Sequence, residues 1–234
     1  MLKKYKYIEE GYKSPSAIGT PFFEDYIRFA TCYIEPLTIS KSMTFLDYGC
    51  GDGRLANFLS AHIKKFKYYG IEHPESTLVD LSKSSPFFND SRCHFGLMGT
   101  DYETEALEKS KYVALCSVFT HLKIEDFYII MEKFENIIKH KNGEVVFSAF
   151  IEGEYRYEPI SGCYDVANCH SRVFYTKKQL KDFAEKKGYI LTEHESYLAQ
   201  GENLHRIFKI SKQHGEKEQL NETNINHNTD YTTR

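Results

Sequence analysis

The sequence has no tryptophan, no long apolar run and no surplus of positive charge. Each absence narrows the function. With 30 Lys and Arg against 33 Asp and Glu, the formal charge is −3 and the pI about 6.4, so no global basic field exists to hold a nucleic-acid backbone. No stretch approaches the length of a membrane-spanning helix, and the opening Met1-Leu-Lys-Lys-Tyr-Lys6 lacks the apolar centre of a secretion signal. Cysteine is sparse. The six residues at 32, 50, 93, 116, 163 and 169 are scattered, which suits reduced, buried thiols rather than a disulfide framework. Cys163, Cys169 and His170 do not have the spacing of a zinc site. The expectation is a cytoplasmic protein with no metal, no nucleic-acid partner and no membrane partner.

What is present suffices for a core. The 234 residues suit one domain, or one domain with a tail. Apolar residues make up 41% and aromatics 15%, all Tyr and Phe.

One stretch organises the chain, Phe45-Leu-Asp-Tyr-Gly-Cys-Gly-Asp-Gly-Arg-Leu-Ala-Asn-Phe-Leu-Ser60. An apolar run leads into Asp47, glycines follow at 49, 51 and 53, and Leu55, Phe58, Leu59 and Ile63 then recur at helical spacing. The pattern predicts a strand, a tight glycine turn and a helix. Glycine at such a turn lets the backbone reverse and approach a ligand closely, because no Cβ intervenes, and the first amides of the helix face the same space. Asp47 stands two residues before the first glycine, where a carboxylate can face a ligand's amino group. A second apolar stretch, Tyr68-Tyr-Gly-Ile-Glu72, ends in an acid 19 residues after Gly53. A carboxylate at that strand tip can accept both hydroxyls of a ribose.

Together these segments resemble the class I S-adenosylmethionine-dependent methyltransferases. Asp47-Tyr-Gly-Cys-Gly-Asp-Gly53 is similar to their first motif, Gly70-Ile-Glu72 to their second, and Ala114-Leu-Cys-Ser-Val-Phe-Thr-His-Leu122 to the fourth-strand segment of many small bacterial members. Weaker agreement runs to about Ile210. The dehydrogenase fingerprint fits less well, since its third glycine stands two residues further on than Gly53. The resemblance implies an α/β fold, a Rossmann-like, seven-stranded, mostly parallel sheet with an antiparallel last strand and helices on both faces. It implies S-adenosylmethionine as cofactor, with Asp47, Gly49, Cys50 and Gly51 around its methionine part, Glu72 and His73 at the ribose, Asp101 or Thr100 near the adenine, and Ser117 beside the reactive end.

Taken in order, residues 1–40 are an N-terminal segment in which Thr20-Pro21 opens a helix. In the resembled family such segments often lie over the cofactor as a lid, here with Tyr5, Tyr7 and Tyr12 as possible cover. Cys93-His-Phe95 is a short strand, and Lys111 to Val118 reads as a central parallel strand buried on both faces. Phe127, Ile130, Met131, Phe134, Ile137 and Ile138 make the core face of a helix. Glu144 to Phe150 is the fifth strand. Residues 151–175 have no clear periodicity. A loop that long is more often functional than not, so Tyr155, Arg156, Tyr164 and Arg172 are candidate substrate contacts. Thr176-Lys-Lys-Gln179 is a capping box, Gly188 stops its helix, and Tyr189–Thr192 and Leu204–Ile210 are closing strands. The domain is expected to span 1–211, followed by a disordered polar tail at 212–234.

Methyl transfer from a sulfonium needs near-attack geometry and, for a hydroxyl or ammonium acceptor, a proton acceptor. His121 and His170 are the candidate bases, because imidazole titrates near neutral pH. Segments like Ser-Val-Phe-Thr-His-Leu122 are common among methyltransferases of sugars and surface-polysaccharide precursors, so O-methylation of such a small molecule is the favoured expectation. N-methylation of an amine or amino-acid-like metabolite is the alternative within the fold, and a non-catalytic cofactor-binding or scaffold protein is the alternative outside it.

Overall fold

The computed structural model describes residues 43–63, 65–74, 86–159, 171–200 and 203–213. The expected N-terminal lid with Tyr5, Tyr7 and Tyr12, His170, Tyr164 and most of the expected tail lie outside the described residues.

The described chain forms one nine-stranded sheet. Strands β1 (Met43–Tyr48), β2 (Phe66–Glu72), β3 (Cys93–Leu97), β4 (Tyr112–Leu115) and β5 (Glu144–Ile151) pair in parallel in the order β3-β2-β1-β4-β5. β9 (Asn203–Lys212) runs antiparallel along β5 from Glu144 to Phe150, and β8 (Tyr189–Gln200) runs antiparallel to β9. These seven strands match the expected sheet, with β9 as its antiparallel member. The other two lie outside that expectation. β6 (Arg156–Pro159) and β7 (Ser171–Tyr175) are paired antiparallel within the stretch expected to be a loop.

Alternation along the strands divides two apolar layers. Leu46, Tyr48, Val113, Leu115, Val145 and Phe147 face one layer, filled by the helices α2 (Asp101–Lys109), α3 (Ile124–Lys133), α4 (Glu135–His140) and α5 (Lys177–Lys187). Met43, Phe45, Ala114 and Val146 face the other, filled by Leu55, Ala56, Phe58 and Leu59 of α1 (Arg54–His62). Phe127 centres the first layer, its ring 4.7 Å from Phe119, 5.2 Å from Phe183 and 5.7 Å from Phe147, tilted and edge-on geometries that suit the ring quadrupole. The single helix expected through Ile138 is two. Phe134 adopts φ −91°, ψ 0° between α3 and α4, and its amide bonds Met131 O at 3.2 Å, one tight turn that lets both segments keep their apolar faces inward. The capping box forms as expected, with Gln179 N donating to Thr176 Oγ1 and Thr176 N to Gln179 Oε1. Among the described residues no helix is long and apolar enough to cross a membrane.

β4 is shorter than its apolar run, because Ser117 turns the backbone at φ +58°. Beyond its end β7 takes over the vacated edge of β5, pairing only with Phe150 and Ile151. The β6–β7 hairpin therefore stands above the carboxyl end of β4. Strand order reverses between β1 and β4, the place where open α/β sheets bind ligands.

Candidate active site

The glycine turn joins β1 to α1. Gly49, Gly51 and Gly53 have φ of +78°, +56° and +81°, the left-handed region open to glycine at little cost. A Cβ at Gly49 would lie 2.6 Å from Val118 Cγ2. The amides of Gly49 and Cys50 both donate to Ile71 O, at 2.8 and 3.1 Å, which draws the turn against the end of β2. Gly53 caps α1 without a side-chain bond.

Two acids meet this turn. Glu72 closes β2, its Oε2 accepting Gly51 N at 2.6 Å and its Oε1 accepting His73 N at 2.9 Å. Asp47, only 1% exposed, accepts the Tyr68 hydroxyl at 2.8 Å. Burial, opposed by Tyr68 and assisted by the charges of Glu72 and Asp52, pushes the Asp47 carboxyl up to about 7. Asp52 is also buried and pairs with Arg54 Nε at 2.9 Å. Three carboxylates and one guanidinium thus surround the turn, a balance that favours a cationic ligand. The Cys50 thiol is pushed well up by burial and then by Asp47 and Glu72, and Cys116 rises to about 12 chiefly through burial, so neither is a ready nucleophile.

At the tip of β4, Ser117 N donates to Ser148 Oγ at 2.8 Å, and Thr120 Oγ1 donates to Ser117 O at 2.6 Å. These bonds hold Ser117 in its left-handed conformation. Its own hydroxyl is buried with no hydrogen-bond partner among the described residues, and a buried polar group in that state is costly unless a ligand meets it. His121 is half-buried in the next turn, its amide bonded to Val118 O at 3.2 Å.

The hairpin braces that turn. Val173 N donates to Thr120 O at 2.9 Å, the buried Tyr175 hydroxyl donates to Leu122 O, Ile124 N donates to Tyr155 Oη at 3.4 Å, and Lys123 Nζ lies 4.9 Å from the centre of the Tyr157 ring. Tyr155 thus stands beside the turn. Arg156 lies over the Phe174 ring at 4.2 Å and is bridged to Glu152 and Glu158, and Arg172 is exposed on β7. Asp101 opens α2 as an exposed residue after the N-cap Thr100, whose hydroxyl bonds Leu97 O at 2.7 Å. His73 is exposed just past β2. Among the described residues no cluster of three or more His, Cys, Asp or Glu could hold a metal.

The structure brings Asp47, Gly49, Cys50, Gly51 and Glu72 together, sets Ser117 at the tip of the neighbouring β4, and places His121 one turn further on. Sequence reasoning missed Tyr68, Asp52, Ser148 and Tyr175. For Tyr68 a signal existed. Asp47 pairs with Gly70, and Tyr68, two residues earlier on β2, shares Gly70's face.

No protein-family model matches the chain, and no curated protein matches its sequence. Solved structures do match its shape. Magnesium protoporphyrin IX methyltransferase from Synechocystis PCC 6803 with bound SAH superposes at a TM-score of 0.57, with 10% identity over 82% of this chain and 86% of that one. The N-terminal domain of EvdMO1, in the presence of SAH and D-fucose, gives 0.60, with 10% identity over 82% and 84%. The glycopeptide N-methyltransferase MtfA, complexed with S-adenosylmethionine, gives 0.52, with 13% identity over 79% and 87%. On its strand order, its glycine turn and these superpositions, the chain has the fold of the class I S-adenosylmethionine-dependent methyltransferases.

Proposed function

We propose that the protein is an S-adenosylmethionine-dependent methyltransferase of a small molecule, and that the acceptor is a hydroxyl of a sugar or surface-polysaccharide precursor. The observation that carries the reading is Glu72, whose carboxylate is held by Gly51 N and His73 N at the switch point, beside the buried Asp47. The residues fit the cofactor. Carboxylates outnumber guanidinium at the turn, as an ammonium and a sulfonium require, and the buried Ser117 hydroxyl lacks a partner among the described residues. When bound, S-adenosylmethionine supplies an electrophilic methyl group whose leaving thioether needs no proton.

The chain's own residues do the rest. Glu72 accepts the ribose hydroxyls, with His73 beside it. Asp47, through its charge, holds the ammonium, while Cys50 and the left-handed glycines let the backbone close on the methionine part. Asp101 faces the adenine, and Ser117 donates its hydroxyl at the reactive end. His121 takes the proton of the acceptor hydroxyl as the new O–C bond forms, with His170 the second candidate. Tyr155, Arg156, Tyr164 and Arg172 bind the acceptor, the arginines suiting a phosphate or carboxylate on it.

The sugar reading is supported by the segment Ser117 to Leu122 and by the D-fucose of the EvdMO1 domain. The N-methyltransferase MtfA keeps an amine acceptor as the second reading. Reduced cysteines at 50, 93 and 116 accord with work in the cytoplasm. The test is calorimetric titration with S-adenosylmethionine and SAH, followed by a screen of sugar nucleotides and amines for SAH release. Wild type is expected to bind at micromolar concentration, and Glu72→Ala to lose about one to three kcal/mol, the scale of charged hydrogen bonds. A well-folded wild type that binds neither compound ends the reading.

A further inference from the structure

A further buried acid stands away from the glycine turn, on α2. Glu103, on α2, is 6% exposed and has a partner for each oxygen. Its Oε1 accepts the Tyr48 hydroxyl at 2.7 Å and Lys133 Nζ at 2.6 Å, and its Oε2 accepts Gly99 N at 2.6 Å. Lys133 also donates to the Tyr48 hydroxyl oxygen at 2.9 Å. The three partners lie on separate elements: Tyr48 ends β1 immediately before Gly49, Lys133 ends α3, and Gly99 sits at φ +78° in the turn between β3 and α2.

Followed through the chain, these bonds close on themselves. Gly51 N reaches the Glu72 carboxylate at 2.6 Å, the Glu72 carbonyl accepts Met98 N at 2.9 Å, and the next residue, Gly99, donates to Glu103. Glu103 accepts Tyr48, which leads directly back into the glycine turn. The circuit ties the turn that meets the methionine part and ribose to the Gly99–Asp101 turn assigned to the adenine.

We propose that Glu103 is a positioning residue for the cofactor: by joining Tyr48, Lys133 and Gly99, it fixes the distance between the glycine turn and the Gly99–Asp101 turn, and so sets the affinity for the adenosine part. The proposal rests on the functional reading above. Glu103 itself touches neither turn's open side; its role passes through the Gly99 amide and Tyr48. Burial alone would raise its carboxyl, but Lys133, the Gly99 amide and Tyr48 together hold it below the usual carboxylate range, so it serves as a charged, triply bonded anchor. Such an anchor beneath a loop removes ordering cost from binding.

The experiment is titration of the full chain with SAH, for wild type, Glu103→Ala and the milder Lys133→Met and Tyr48→Phe. Folding of each is checked by circular dichroism, and amide exchange is followed over 97–104. Glu103→Ala is expected to weaken SAH tenfold or more and to speed exchange at Gly99, and the two milder variants to weaken it about threefold to tenfold, the scale of one hydrogen bond. A merely structural role would lower the melting temperature and leave the dissociation constant of the folded protein unchanged. If Glu103→Ala does not fold, Lys133→Met and Tyr48→Phe decide by the same comparison. Unchanged SAH affinity in folded variants overturns the role of Glu103 and leaves the methyltransferase reading standing, whereas absence of SAH binding by wild type overturns both.

Discussion

Replacing Asp47 with Asn should stabilise the protein at neutral pH and impair it. The carboxyl is 1% exposed, bonded to Tyr68, and raised from 3.8 to about 7, chiefly by burial. An acid whose folded pKa lies above its unfolded one binds more protons folded than unfolded, so stability falls as pH rises between the two values and is level above the higher. Three units correspond to about 4 kcal/mol, and about 2 to 3 kcal/mol of that falls between pH 5 and pH 8. Asn is neutral at every pH and keeps an oxygen for the Tyr68 hydroxyl. Urea unfolding of both proteins at half-unit steps from pH 5 to pH 8 should therefore show the variant's advantage growing with pH and flattening past 7. Calorimetry of the same samples should show weaker binding of S-adenosylmethionine by the variant, and wild-type binding that tightens as pH rises toward 7, since an ammonium beside Asp47 requires its ionised form. A stability difference that stays constant across the range would refute the reasoning, because it would mean that Asp47 is already ionised in the folded protein at pH 5.

Gly49→Ala combines a left-handed φ with a Cβ 2.6 Å from Val118, and should cost about 2 to 4 kcal/mol by denaturation and remove cofactor binding. Ser117→Gly should relieve about 1 kcal/mol of backbone strain at φ +58°, raising the melting temperature while weakening S-adenosylmethionine; a lower melting temperature would show that the Ser117 side chain is stabilising. Thr176→Ala breaks both bonds of the capping box and should cost about 1 kcal/mol, with SAH affinity unchanged.

The glycine turn, its acids and the parallel strands were legible because each is written locally. An apolar strand, glycines at fixed spacing and an acid at a strand tip sit within a few residues of one another. Phe127 and Met131 were legible for the same reason, their helical spacing showing which face is inward. The β6–β7 hairpin was not. Tyr157 pairs with Val173, sixteen residues on, without a tight-turn signal, and β7 buries Val173, Phe174 and Tyr175 in succession, so it lacks the alternation of a half-buried strand. Glu103 was illegible too. Its two side-chain partners lie 55 and 30 residues away, and on its own helix it reads as one of several solvated acids. The position of Ser117 after the fourth strand is legible in the sequence, but its left-handed backbone and its bond to Ser148 arise only from tertiary packing.

β1 is paired with β2 along its whole length and β5 with β9 from Glu144 to Phe150, but the hairpin joins the sheet only at Phe150 and Ile151. Opening free energy follows such differences in pairing. Burial sharpens this into two tiers: β7, with Val173, Phe174 and Tyr175 buried and bonded to Thr120 and Leu122, holds with the domain, while the exposed edge strand β6, paired with β7 alone among the described residues, can open while the rest stays closed. On the proposed function, an arriving acceptor and a departing methylated product would pass at β6, without disturbing the grip on the nucleoside. The same division leaves the exposed residues of β6 free to change at little cost to the stability of the domain beneath it.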